Sequence, residues 1–484
     1  MISTTLHREL ADLLPPGGVV AEPAQLGTYQ CDGLTGARVT PGLVVLPTST
    51  EEVAAVVRAC ARDGVPFVAR GAGTGLSGGA LPHADGVLIV LSRMRRILSV
   101  DVPNQRMVVE PGVTNLEISK AVAGDGLYYA PDPSSQVVCT IGGNVAENSG
   151  GAHCLKYGFT TNHVLAVEAV MPDGEVVTLG ADTLDPPGYD LRGVFIGSEG
   201  LTGVATKVVV RLLRVPEAVR TLVADFDSPA AAGDAVSGII AAGIVPAAVE
   251  MLDALAIEAC EAATGAGYSL DAGAALVVEL DGPEAEVEAE FSAVRTICGD
   301  SRATRVRIAA DAAERALIWR GRKAAFAAMG RLSPDYFVQD GVIPRVRLGR
   351  VLARIAEMAG EQGLQVANVF HAGDGNLHPL VLFDAMNDGE AVRAERLATA
   401  IVELCVEEGG SITGEHGVGT DKACSMPKMF SEEDLAVMAR VRAAFDPQGI
   451  SNPGKVFPTP RLCGERPGPY RPHPLEEAGV VERL

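Results

Sequence analysis

Two histidines close a short glycine-rich loop in His371-Ala-Gly-Asp-Gly-Asn-Leu-His378, and a Glu415-His416 pair stands between glycines in Thr413-Gly-Glu-His-Gly-Val-Gly419. Residues of these types bind a divalent metal and move a proton beside it. On one extended strand the two histidines would lie roughly 23 Å apart on opposite faces. On one helix they would share a face about 10 Å apart, and Gly373 and Gly375 disfavour a helix. The imidazoles meet at one ion only if Gly373-Asp374-Gly375 reverses the chain between two strands, as the apolar flanks 364–370 and 379–383 allow. A His371, His378 and Glu415 set, at about 2.0–2.2 Å from the ion, suits zinc, manganese or iron with a position left open for substrate. The alternative is a hairpin with two polar residues at its mouth and a separate, solvated Glu-His turn.

The elements that must position these residues need more than one core. At 484 residues, two or three domains are expected. The 47% hydrophobic and 21% charged content is that of a globular chain. A net charge of −21 disfavours nucleic acid and anionic membrane as partners, so an anionic substrate needs a locally basic pocket. No apolar run reaches eighteen residues, and the N-terminus does not read as a secretory signal. Nine scattered cysteines without a Cys-x-x-Cys read as free thiols in a reducing cytoplasm.

The first third alternates short strands with helices. Strands are expected at 43–46, 65–69 and 86–91, and Ser49-Thr-Glu-Glu52 opens a helix that ends near Gly64. Thr114-Asn-Leu-Glu117 opens another, closed by Gly126. The stretch 131–158, rich in Gly and Asn, is too long for an idle connection. A hairpin turns at Asp173-Gly174. Beyond Pro216, helices at 231–242, 252–263, 283–297, 311–329 and 345–362 alternate with a few strands, a pattern for helices on one face of a sheet.

Arg70-Gly-Ala-Gly-Thr-Gly-Leu-Ser-Gly-Gly79 contains the glycine spacing of a dinucleotide fingerprint, Gly73-x-Gly75-x-x-Gly78. That fingerprint must open a helix, and the following residues 80–91 leave no room for one. Its backbone N–H groups can still form a nest for phosphate oxygens. Asp132–Ser135, Thr140–Gly151, Gly197–Gly203 and Asn452-Pro-Gly-Lys455 share that texture. Together they can hold a flat, phosphate-bearing cofactor in an extended pose.

In this combination the chain resembles the flavoprotein family of the vanillyl-alcohol oxidase and p-cresol methylhydroxylase type, from about Pro41 to Lys455. Within it the resemblance is to glycolate oxidase FAD-binding subunits and D-lactate dehydrogenases. It implies an α+β fold: a two-part FAD-binding domain (41–215, with 441–458 returning to it) and a substrate cap domain (216–440) with an antiparallel sheet and the metal site. A helical arm (1–40) and a surface tail (459–484) complete the chain. By the same resemblance, Arg70, Gly71, Ala72, Gly73, Thr74, Gly75, Ser77 and Gly78 cradle the FAD pyrophosphate. Pro131, Asp132, Ser134, Ser135, Gly142, Gly143, Asn144, Asn148 and Ser149 line the diphosphate and flavin. Gly197, Glu199, Gly200 and Gly203 hold the adenine side, and Asn452 and Lys455 arrive with the returning segment. No histidine lies between Arg70 and Gly79, so non-covalent FAD is expected.

The resemblance also gives His371, His378 and Glu415 to a divalent metal, His416 to the general base, and Arg322 to the substrate carboxylate. On its own residues Arg322 reads as a surface ion pair on an amphipathic helix. Relatives acting on 2-hydroxyglutarate carry a further lysine, and Tyr336-Phe-Val-Gln-Asp340 has no basic residue, which favours a small monocarboxylate. The expected reaction is oxidation of a D-2-hydroxy acid, glycolate or D-lactate, to the 2-oxo acid, with D-2-hydroxyglutarate as the larger alternative. Electrons would pass to iron–sulfur partner subunits or a quinone, with the chain cytoplasmic or peripheral at the inner membrane face through a partner, and a homo-oligomer compatible. Two competing readings are a metal-dependent hydrolase, which leaves the glycine loops idle, and a flavin-bearing electron-transfer subunit without chemistry of its own.

Overall fold

The computed structural model describes residues 2–183 and 186–459. Three sheets of four or more strands organise them. The first has Leu43–Val45, Val87–Val90 and Phe67–Arg70 in parallel, with Val19–Val20 from the N-terminal arm added antiparallel. The helix Thr50–Asp63 crosses between two of these strands. The Ser49 side chain accepts the Glu52 N–H at its start, and Gly64 ends it in the left-handed region at φ 63°. The second sheet is five-stranded and antiparallel, with Val204–Arg211 and Val164–Val170 at its centre. Its hairpin turns at Gly174 as expected. Residues 71–86 leave the strand Phe67–Arg70 without any helix. They run at the carboxyl end of a parallel sheet, where open α/β sheets bind ligands.

The cap is built on an antiparallel sheet in which Ala218–Phe226, Ala274–Gly282, Ala248–Asp253 and Gln365–His371 lie side by side. Helices cover both of its faces, against the expectation of one. Leu276 and Val278 pack into a core with Pro229–Ala241, Glu284–Asp300, Leu348–Gln362 and Glu390–Glu407. Ala275 and Val277 pack the opposite way, against Ala254–Thr264, Ala312–Lys323 and Ala325–Ala328. The nearly unbroken apolar runs at 274–280 and 364–370 carry that signal, since a strand buried on both faces cannot alternate with polar residues.

Other differences are local. The stretch 131–158 contains two short helices, Ile141–Glu147 and Cys154–Tyr157. The boundary expected at 440 falls inside the helix Glu432–Phe445. Beyond it the chain returns to the first sheet, where the Phe67 N–H donates to Ile450 O at 2.9 Å and the Asn452 N–H to Phe67 O at 2.8 Å. Among the described residues seven cysteines are free thiols, while Cys424 is disulfide-bonded and departs from the expectation. The expected surface tail lies outside the described residues except for Thr459. No helix among the described residues is long and apolar enough to cross a membrane.

Candidate active site

Strand register assembles the site. The strand Gln365–His371 turns at Gly373–Gly375 and returns as Asn376–Leu377 and Pro379–Phe383, so the expected hairpin is present. Gly375 sits at φ 81° with Ile343 O only 2.1 Å from where a Cβ would stand, so only glycine fits this turn. Val338 pairs with Leu380 and Gly341 with Leu377, which sets Asp340 beside His378. A bridge from Val342 to Ser411 then brings the 413–419 loop alongside.

Asp340 organises that loop. Its buried carboxylate accepts the N–H groups of Gly414 (3.0 Å), Glu415 (3.2 Å) and His416 (2.9 Å), together with the Thr413 hydroxyl at 2.5 Å. Lys422 Nζ lies 3.4 Å away. Burial alone would raise the Asp340 pKa. His416, Lys422 and His378 outweigh it and hold the carboxyl far below the usual range.

His371 Nε2 and His378 Nε2 each lie 3.1 Å from Glu415 Oε1. The three ligand atoms lie within 4.8 Å of one another. Burial would raise the Glu415 carboxyl, but the two imidazoles hold it well below its usual value. His371 Nδ1 faces Glu250 Oε1 at 2.7 Å, the kind of support that fixes the orientation of a ligand imidazole. Two imidazoles and a carboxylate converging on one point suit a divalent metal of the zinc, manganese or iron class. Asp340, His378 and His416 form a second such group, but the Asp340 oxygens are already taken by the donors above. His416 stacks on His378, with centroids 4.9 Å apart and planes 7° from parallel. Burial, reinforced by His378 and Lys422 against Asp340, lowers its pKa to about 4, so its imidazole is neutral at neutral pH.

One cavity of about 990 Å³ joins this cluster to the glycine loops, and Glu415 and His416 line it. Of the residues expected to hold a cofactor, Arg70, Gly71, Ala72, Gly73, Thr74, Gly75, Ser134, Ser135, Gly142, Gly143, Asn144, Ser149, Glu199, Gly200 and Gly203 also line it. A Cβ on Gly75 or Gly143 would meet no protein atom closer than 3.9 or 3.7 Å, and would take up space in the cavity itself. This cradle of small residues fits a long, flat, phosphate-bearing molecule.

The remaining expected residues brace the walls instead. Ser77 O accepts the N–H groups of Thr420 and Asp421, and Gly78 packs against Thr420. Pro131 O is held by Asn115, and Asp132 pairs with His153 at 3.0 Å. Asn148 accepts the Thr161 N–H, and Gly197 N–H donates to Val145 O. Asn452 Nδ2 donates to Gly79 O and Glu199 O, and Lys455 Nζ to Leu81 O. Even Arg70 lines the cavity with its side chain committed elsewhere, to Ala80 O and Tyr29 O. Glu199 clasps the two halves together, accepting the N–H groups of Val418 (2.7 Å) and Gly419 (2.6 Å).

Arg322 is not at the cavity. It is buried and paired with Glu250 Oε2 at 2.5 Å, behind His371. The next residue, Lys323, does line the cavity, beside Phe326 and Tyr336. Adjacent helical positions point about 100° apart, so the helix Ala312–Lys323 can present only one of the two cations. Asp340, Glu250 and Lys323 were not singled out by the sequence. Glu250 alone left a signal, as a carboxylate flanked by the apolar Val249 and Met251 within the strand Ala248–Asp253.

This architecture, a glycine-loop nucleotide cradle roofed by a cap with a polar cluster, is that of a two-domain flavoprotein. The chain aligns with p-cresol methylhydroxylase at a TM-score of 0.78 and 17% identity, covering 93% of this chain and 96% of that one, which shows the fold. Family models described as FAD binding domain and as FAD linked oxidases, C-terminal domain, match residues 41–180 and 215–456. The chain belongs to the FAD-linked oxidases. It is 52% identical to a glycolate oxidase subunit GlcD of Escherichia coli K12, over 96% of this chain and 93% of that protein. It is 32% identical to a mitochondrial D-lactate dehydrogenase [cytochrome] of Arabidopsis thaliana, over 87% and 74%.

Proposed function

We propose that this chain oxidises a small D-2-hydroxy monocarboxylate, glycolate or D-lactate, to the corresponding 2-oxo acid. The observation that carries this reading is the single cavity in which the glycine loops and the Glu415-His416 turn face one space. The relatives named above, a glycolate oxidase subunit and a D-lactate dehydrogenase, support the same substrate class. The glycine loops would hold FAD without a covalent link, and FAD would supply the acceptor for the hydride leaving the substrate Cα. His416 takes the hydroxyl proton, and Asp340 fixes the backbone on which His416 stands. His371, His378 and Glu415 would hold a divalent metal, which would acidify the hydroxyl. Glu250, paired with Arg322, keeps His371 turned toward Glu415.

Lys323 takes the role expected of Arg322, meeting the substrate carboxylate from the cap wall. Around it the wall consists of Phe326, Ala327 and Tyr336 to Gln339, and a second carboxylate would find no cation there. Lys323→Met is expected to raise KM for glycolate about tenfold or more, the worth of one charge-assisted contact, with a smaller change in kcat. Steady-state kinetics with an artificial electron acceptor checks it. We further propose that electrons leave to iron–sulfur partner subunits or a quinone, consistent with a relative that is itself named a subunit.

The decisive experiment is anaerobic mixing of the yellow holoprotein with glycolate, D-lactate, L-lactate and D-2-hydroxyglutarate, with and without chelator. Bleaching of the flavin by the D-monoacids and glycolate is expected, slowed by chelator and restored by zinc, manganese or iron. Equal bleaching by L-lactate, or preference for the diacid, would contradict the substrate assignment.

A further inference from the structure

Glu147 has no place in the chemistry above, yet it lines the cavity. It is the last residue of the helix Ile141–Glu147, at the carbonyl end, where a negative charge gains nothing from the helix. Its Oε2 is buried and has no hydrogen-bond partner.

The four charges that act on it most are engaged. Glu199 has its two oxygens on the Val418 and Gly419 N–H groups. Asp32 accepts the Leu34 and Ala80 N–H groups. Lys455 donates to Leu81 O and Asn452 Oδ1, and Lys422 lies against Asp340 and Gly417 O. Glu147 and Glu199 close on the same space. A Cβ on Gly417 would stand 2.3 Å from Glu147 Oε2 and 2.9 Å from Glu199 Oε1. A Cβ on Gly79 would stand 2.8 Å from Glu147 Oε1 and 3.5 Å from Glu199 Oε2. Two carboxyls this close do not both ionise at little cost, and only Glu199 has donors to stabilise a charge.

The geometry points to Glu147 as a neutral carboxylic acid that donates its proton in a hydrogen bond to FAD. This rests on the reading that FAD fills the cavity. Glu147 flanks the glycine loop at Gly75 and Gly79, the loop suited to phosphate, where an ionised carboxylate would repel the ligand and a protonated one can bond to it. Burial, then Glu199 and Asp32, push the Glu147 carboxyl well above its usual range, with Lys422 and Lys455 pulling the other way. Binding of FAD to the protonated form makes affinity fall as pH rises through the pKa of the free protein.

The test is FAD retention by the holoprotein, measured by equilibrium dialysis from pH 6 to pH 9. In wild type the FAD dissociation constant is expected to rise about tenfold for each pH unit beyond that pKa. Glu147→Gln keeps a donor that cannot ionise, and is expected to flatten the profile. A flat wild-type profile would overturn the proposal, and so would an unchanged slope in Glu147→Gln. Should Glu147→Gln fail to fold, the infrared carbonyl band of a protonated carboxylic acid in the wild-type apoprotein, shifted when FAD is added, decides: its absence counts against the proposal. Failure to bind FAD at any pH would instead overturn the cofactor assignment on which the proposal stands.

Discussion

Replacing His416 by alanine is expected to slow flavin reduction by glycolate by about 10²–10⁴-fold, the range for loss of a positioned general base. Several features support the proposal that it is the base. It lines the cavity, it is neutral at neutral pH, and its backbone N–H is tied to Asp340 at 2.9 Å. Its ring stacks flat on His378, so its direction is fixed before substrate arrives. The bound flavin spectrum should survive, because the glycine loops do not use this side chain. Stopped-flow absorbance under anaerobic conditions reads the effect, and a His416→Ala rate within a few-fold of wild type would remove His416 from the role.

Asp340→Ala is expected to cost about 3–5 kcal/mol of stability, the scale for removing one partner of a buried ionic group. The loss has several parts. The N–H groups of Gly414, Glu415 and His416 lose their acceptor, the Thr413 hydroxyl loses its own, and Lys422 is left buried without its nearest anion. Asp340→Asn keeps the shape but turns an amide nitrogen toward some of those donors, so an intermediate loss is expected. Denaturant unfolding of the holoprotein measures both. A loss below about 1 kcal/mol for Asp340→Ala would mean that the loop holds itself.

The histidine–glutamate cluster was legible because its residue types stand at short spacing. His371 and His378 could meet only across a turn, and the glycines between them permit one. The glycine run likewise showed that it is not the dinucleotide fingerprint, through a strand that follows it where a helix was required. Asp340 gave no such sign. Its role depends on the pairing of Gly341 with Leu377 and on the bridge to Ser411, contacts between segments far apart in sequence. The choice between Arg322 and Lys323 was equally hidden, because helical phase is set by packing. Gly321 lies against Tyr268, which turns Arg322 inward to Glu250. The covering of both faces of the cap sheet was written in its apolar strands, and the sequence expectation of one face set that pattern aside.

The segment that returns to the first sheet has a consequence in time. Asn452 holds the carbonyls of Gly79 and Glu199, and its own N–H closes on Phe67. Phe67 is made long before its partner, nearly four hundred positions further along the chain. A chain still emerging from the ribosome therefore has the glycine loop without its brace. The first sheet is completed only when residues 450–452 arrive, after the whole of the cap has been made.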